Sequence, residues 1–118
     1  MTDKFDRTVN YLRLSVTDKC NLRCFYCMPM RGIDSLPHAD VLRFEEISRI
    51  TRLLVEGAGI TKVRLTGGEP LIRRNVVELV RRLGEIEGLH ELVLTTNAQM
   101  LGPMAQHLKA AGVSRVNI

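Results

Sequence analysis

Two short stretches, YLRLSV at residues 11–16 and KVRLT at 62–66, alternate apolar and polar residues in a chain that otherwise reads strand, loop, helix, strand. This pairing is the strongest constraint on the fold. Ile47, Ile50, Leu53 and Leu54 recur at helical spacing between about Phe44 and Val55, and Gly57 and Gly59 end that run. Val76, Val77, Leu79, Val80 and Leu83 repeat the pattern, with Asn75 placed as the N-cap. Leu89–Thr95 reads as a third strand, 102–111 as a third helix, and 115–118 as the start of a fourth strand. Strands joined by helices form a parallel sheet with right-handed crossovers, hence an α/β fold.

A parallel strand covered on both faces should be almost continuously apolar. Here Leu12, Leu14 and Val16 alternate with Arg13 and Ser15, and Val63 and Leu65 alternate with Lys62, Arg64 and Thr66. One sheet face is therefore polar, carrying Arg13, Arg64 and Thr95, while Leu92 and Leu94 point to the helices. Such a face lines a ligand cavity inside a widened or incomplete barrel, or belongs to a half-solvated sheet. The first is favoured because solvated sheets are usually antiparallel.

The chain has 118 residues, 45% hydrophobic and 25% charged, the proportions of one ordinary soluble domain. MTDKFDRTVN has no apolar leader core, and no run approaches the ~18 apolar residues of a membrane span, so the expectation is a cytoplasmic protein without a membrane partner. The net charge of +4 is scattered, with two tyrosines and three phenylalanines as the only aromatics. That fits an anionic ligand and argues against nucleic acid. Ser114–Ile118 looks like a strand just begun, so residues 1–118 are expected to be the N-terminal part of a longer core domain, truncated in its fourth strand.

All three cysteines, Cys20, Cys24 and Cys27, fall in the C-x3-C-x2-C segment TDKCNLRCFYCMP directly after the first strand. Three thiolates can hold three irons of a [4Fe-4S] cluster and leave the fourth without a protein ligand. Structural zinc needs a fourth ligand, and His38, His90 and His107 stand in no CxxC or HxxxH partner motif. Packing cysteines without metal have no reason to share one loop. Thr66-Gly67-Gly68-Glu69-Pro70 follows the second strand, where two glycines let the backbone approach a ligand closely.

The cysteine spacing, with Tyr26 before the last cysteine, and the GGE segment resemble the radical S-adenosylmethionine (SAM) superfamily. That resemblance implies that the open iron is chelated by the amino and carboxylate groups of SAM. "YLRLSVTDKCNLRCFYCMP", "KVRLTGGEPLIRR" and "LVLTTNA" together are similar to the GTP 3′,8-cyclase family of molybdenum cofactor biosynthesis. The implied fold is the N-terminal part of an incomplete (β/α)6 barrel, and the implied reaction converts GTP to 3′,8-cyclo-7,8-dihydro-GTP through a 5′-deoxyadenosyl radical.

By the same resemblance Cys20, Cys24 and Cys27 ligate the cluster, Tyr26 contacts SAM through its backbone and Gly68 binds its amino group. Arg13, Arg64 and Thr95 match GTP-contacting residues. A second [4Fe-4S] cluster lies in the family's C-terminal part, an electron donor reduces the first, and the enzymes are typically homodimers. The piece alone is expected to be inactive and poorly soluble. The rival readings are a peptide-modifying radical SAM maturase and a non-catalytic metal-binding remnant. Ala98 stands where the family usually has glycine; a position needing positive φ makes alanine cost roughly 1 to 2 kcal/mol. Asn97 either assists the site or shapes a turn, and Arg73, Arg74, Arg81 and Arg82 are expected in surface salt bridges.

Overall fold

A computed structural model describes all residues, 1–118. Four parallel strands, β1 (Tyr11–Ser15), β2 (Lys62–Thr66), β3 (Glu91–Thr95) and β4 (Arg115–Asn117), are joined by α1 (Phe44–Ala58), α2 (Val76–Gly84) and α3 (Leu101–Ala111). Short 3-10 turns at His38–Asp40 and Pro70–Ile72 lie in the longer connections.

The strands stand in the order β1-β2-β3-β4. Every crossover thus advances one place in the same direction, and right-handed connections then put all three helices on one face of the sheet. A doubly wound sheet reverses its order and covers both faces. The observed order is that of a partial barrel, whose other face is left uncovered by helices.

The register fixes which residues share each face. Leu12 pairs with Val63 and Val63 with Leu92; Leu14 pairs with Leu65 and Leu65 with Leu94. These rows pack against the helices in one core with Ile47, Val55, Val76, Leu79, Val80, Leu83 and Leu108. On the opposite face Arg13 pairs with Arg64, Arg64 with Val93, and Val93 with Arg115.

Two local expectations change. In α1 the buried residues are Ile47, Thr51 and Val55, whereas Ile50 and Leu53 are exposed. The helical period holds, and the core admits Thr51 because its hydroxyl donates to the Ile47 carbonyl at 2.8 Å, leaving its polar group satisfied. Asn75 sits at the N-cap position of α2 but makes no side-chain capping bond. Its backbone is left-handed, φ 60°, a conformation asparagine tolerates better than most residues.

Arg81 and Arg82 are in surface ion pairs with Glu78, Glu85 and Glu45. Arg73 departs from that pattern: it donates to the carbonyls of Val16 at 2.7 Å and Leu42 at 2.5 Å and stacks over Phe44. A planar guanidinium fork suits this bracing of two carbonyls on separate segments. Arg74 is exposed and enters no ion pair with a carboxylate.

Candidate active site

The three connections leaving the C-terminal ends of β1, β2 and β3 meet above the polar sheet face. That end is where a barrel collects its functional groups. Beneath the connections, Arg13 and Arg64 are Cα partners on adjacent strands, and Thr95 lies one residue pair nearer the loops, opposite Asn117. The face assignment read from strand alternation is therefore the one observed.

Two of these three residues carry an unspent polar group. Arg64 Nε and Thr95 Oγ1 are buried with no hydrogen-bond partner. Buried polar atoms are normally paired, because an unmade bond costs roughly 1 to 3 kcal/mol. A guanidinium and a hydroxyl left open on one face form a receptive surface for oxygen-rich anions. Arg13 is more exposed, at the free flank of β1. Lys62 and Arg115 share this face and converge on Glu91, at 2.8 Å and 3.7 Å respectively. Glu91 is held below the ordinary carboxylate range by its bond to Lys62, outweighing the opposing effect of desolvation.

The glycines after β2 allow a close contact within the chain. A Cβ on Gly68 would overlap the carbonyl of Lys19, and one on Gly67 would come within 2.5 Å of the Thr17 carbonyl oxygen. The Gly68 amide donates to Thr17 O at 2.8 Å and the Glu69 amide to Lys19 O at 2.8 Å. These glycines let the β2 loop lie against the backbone that leads into the cysteines. The Gly68 carbonyl accepts nothing within the chain and stays available to a ligand.

Glu69 was not singled out in the sequence. The residue is only 2% exposed and its carboxylate gathers three donors, Thr96 Oγ1 at 2.6 Å, Asn97 N at 2.7 Å and Leu71 N at 3.1 Å. A buried carboxylate is tolerable when so paired. It joins the β2 and β3 loops. Asn97 in turn donates from Nδ2 to Asn21 Oδ1 at 2.8 Å, and Gln99 accepts from Asn21 Nδ2 at 3.3 Å. Asn97 is thus the turn residue that was one of its two expected roles, through Gln99 N, and its side chain also reaches the cysteine loop.

The cysteines themselves are free, Cys20 and Cys24 half-buried and Cys27 exposed. No three His, Cys, Asp or Glu side chains are gathered into one coordination sphere, so metal binding has to draw the sulfurs together. The loop can do so. Its own backbone bonds from 20 to 28 are two, from Cys27 N and Met28 N to Cys24 O. Three soft thiolates with no histidine joining them fit an iron-sulfur cluster with one open iron better than a closed zinc site.

Tyr26 is exposed, and neither its backbone N–H nor its C=O is used within the chain. Its phenol is held above the ordinary value by the negative charge of Cys24 and then by a hydrogen bond to it.

The family model of the radical SAM superfamily matches residues 14–118. The GTP 3′,8-cyclases of Geobacter sulfurreducens and Moorella thermoacetica are 54% and 56% identical to the chain over all 118 residues, which cover 36% of each relative. The chain therefore spans about a third of the length of the curated relatives it matches. Among solved structures, BtrN in complex with AdoMet and 2-DOIA superposes with a TM-score of 0.69 at 17% identity, over 93% of this chain and 45% of that one. SuiB bound to the precursor peptide SuiA gives 0.65 at 21%, over 90% and 23%. At such identities the two structures speak for the fold alone. With a partial barrel of parallel strands, a three-cysteine loop above its polar face and a family match across 14–118, the chain belongs to the radical SAM superfamily, whose members use a [4Fe-4S] cluster and SAM.

Proposed function

We propose that the chain is the SAM- and phosphate-binding part of a GTP 3′,8-cyclase. The observation that carries this reading is the match to cyclases at above half identity along the whole chain, coinciding with unpaired Arg64 and Thr95 groups on the uncovered sheet face. Cys20, Cys24 and Cys27 hold the cluster, the free carbonyl of Gly68 takes the SAM amino group, and the free backbone of Tyr26 takes SAM from the other side. When bound, the cluster supplies the electron that splits SAM into methionine and a 5′-deoxyadenosyl radical.

The chain's own residues orient the substrate. Arg13 and Arg64, deeper on the sheet, take triphosphate oxygens through forked, charge-assisted bonds. Thr95, nearer the loops, meets the sugar. In this reading the ribose 3′ hydrogen faces the cysteine loop, where its removal allows C3′ to join C8 of guanine. A triphosphate offers those guanidinium groups a denser set of oxygens than the isolated carboxylates of a peptide. The proposal extends to a second [4Fe-4S] cluster outside these residues, an external electron donor, a homodimer and a cytoplasmic location.

The test is a chimera in which this chain replaces the matching segment of the Moorella thermoacetica relative. Anaerobic incubation with GTP, SAM and reductant should yield the cyclised nucleotide. Arg64→Ala should raise the GTP concentration for half-maximal rate by about tenfold or more, the loss of a charge-assisted bond, while SAM binding is unchanged. A chimera that takes up cluster and SAM yet ignores GTP contradicts the cyclase reading.

A further inference from the structure

Backbone bonds tie Thr17 and Lys19 to the glycine loop, and beyond them the cysteine segment 20–28 has two outward hydrogen bonds, both on Asn21. Asn21 is the residue directly after the first cysteine, and both functional ends of its amide are engaged by the β3 loop, through Asn97 and Gln99. Asn97 hangs through its own amide from Glu69, whose buried carboxylate also holds Thr96. Thr96 Oγ1 accepts from Ala98 N at 3.1 Å, and Asn97 Oδ1 accepts from Gln99 N at 3.1 Å, so the two residues gripping Asn21 belong to one bonded turn. The chain of contacts runs Glu69, Asn97, Asn21, Cys20. It links the buried floor of the glycine loop to the backbone of the first cysteine.

By contrast the rest of the cysteine loop is tied to itself. Arg23 donates to the carbonyls of Cys20 and Leu22, and the Leu22 amide points at the Cys20 sulfur. Phe25, Tyr26 and Met30 are almost fully exposed. A loop with so few outward bonds takes its position from those it does have.

From this we infer that Asn21 is a positioning residue: gripped by Asn97 and Gln99, it sets where the cysteine loop stands over the polar sheet face and thereby the geometry in which SAM is bound. The inference rests on superfamily membership and is independent of which substrate is used. Nothing in it requires Asn21 to touch SAM.

Two substitutions separate the grip from side-chain size. Asn21→Asp keeps an acceptor for Asn97 Nδ2, and the Gln99 amide can rotate to donate to the second carboxylate oxygen. Asn21→Leu keeps the branched shape and the number of side-chain heavy atoms, with neither bond. Gln99→Ala removes one bond at an exposed site with no demand on folding.

The experiment has two readouts on the 118-residue protein. In the metal-free state, trypsin cleavage after Arg23, which needs local opening of the loop, should quicken by about three- to tenfold in Asn21→Leu and measurably in Gln99→Ala, as expected for losing two or one neutral hydrogen bonds. Asn21→Asp should stay near wild type. After anaerobic reconstitution with iron and sulfide, all variants should hold the same iron, since the cysteines are intact. The SAM concentration that half-converts the electron paramagnetic resonance signal should rise several-fold in Asn21→Leu and recover in Asn21→Asp. Unchanged cleavage in both Asn21→Leu and Gln99→Ala overturns the grip. Quickened cleavage with unchanged SAM half-conversion overturns the positioning role and leaves a mere loop clamp. A wild-type protein that takes up no iron also overturns the positioning role, and counts separately against the superfamily reading because the cleavage comparison does not depend on metal.

Discussion

At residue scale, the groups that sequence exposed and those it hid differ in where their partners lie. Arg13, Arg64 and Thr95 were readable because strand alternation alone assigns a face, and their register partners confirm it. Glu69 was not readable. A carboxylate in a loop is ordinarily solvated, and its burial depends on Thr96 and Asn97, more than twenty-five positions further on. We predict that Glu69→Ala, which orphans three buried donors at once, costs about 3 kcal/mol in urea unfolding; a loss below half of that contradicts its role as anchor. Ala98 presents the reverse case. Its φ is 67°, the left-handed conformation that alanine resists. Ala98→Gly should therefore stabilise the protein by about 0.5 to 1 kcal/mol, the relief of backbone strain offset by the greater freedom of glycine when unfolded.

Elements were legible to within a few residues, since helix and strand periods are local properties, but faces were less secure. In α1 the apolar residues Ile50 and Leu53 point outward while Thr51 is buried. Ile47→Ala is expected to cost about 3 kcal/mol, and Leu53→Gln less than about 0.5 kcal/mol, in thermal or urea unfolding. The α2 surface makes a pH prediction. Glu78 is lowered to about 2, first by its hydrogen bond to Arg81 and then by Arg82, from 4.5. A carboxylate with a depressed folded value contributes stability that is complete above the unfolded value and disappears as pH falls through the folded one. The contribution of Glu78 should thus fade between about pH 4.5 and 2, and Glu78→Gln should flatten that part of the stability curve. Because the group is exposed, added salt should shrink the difference between the two proteins.

At the scale of the whole molecule, the sequential strand order is the feature that gives the polar face its meaning. With every helix on one side, the other side is free to face a ligand, and the loops bearing Cys20, Gly68 and Asn97 gather at its rim. Sequence alternation predicted a polar face and favoured a cavity wall over a solvated sheet; the strand order, a property of the assembled fold, adds that no helix covers that face. The cysteine loop was legible as chemistry and not as shape, since it makes few bonds that fix its course. On the proposed function its three thiolates hold a cluster with one iron open to SAM. Anaerobic reconstitution followed by iron analysis and electron paramagnetic resonance tests this directly. About four irons per chain and a reduced-cluster signal that changes on adding SAM are expected, both lost in Cys24→Ser. A protein that instead binds zinc, or whose cluster signal is indifferent to SAM, contradicts it.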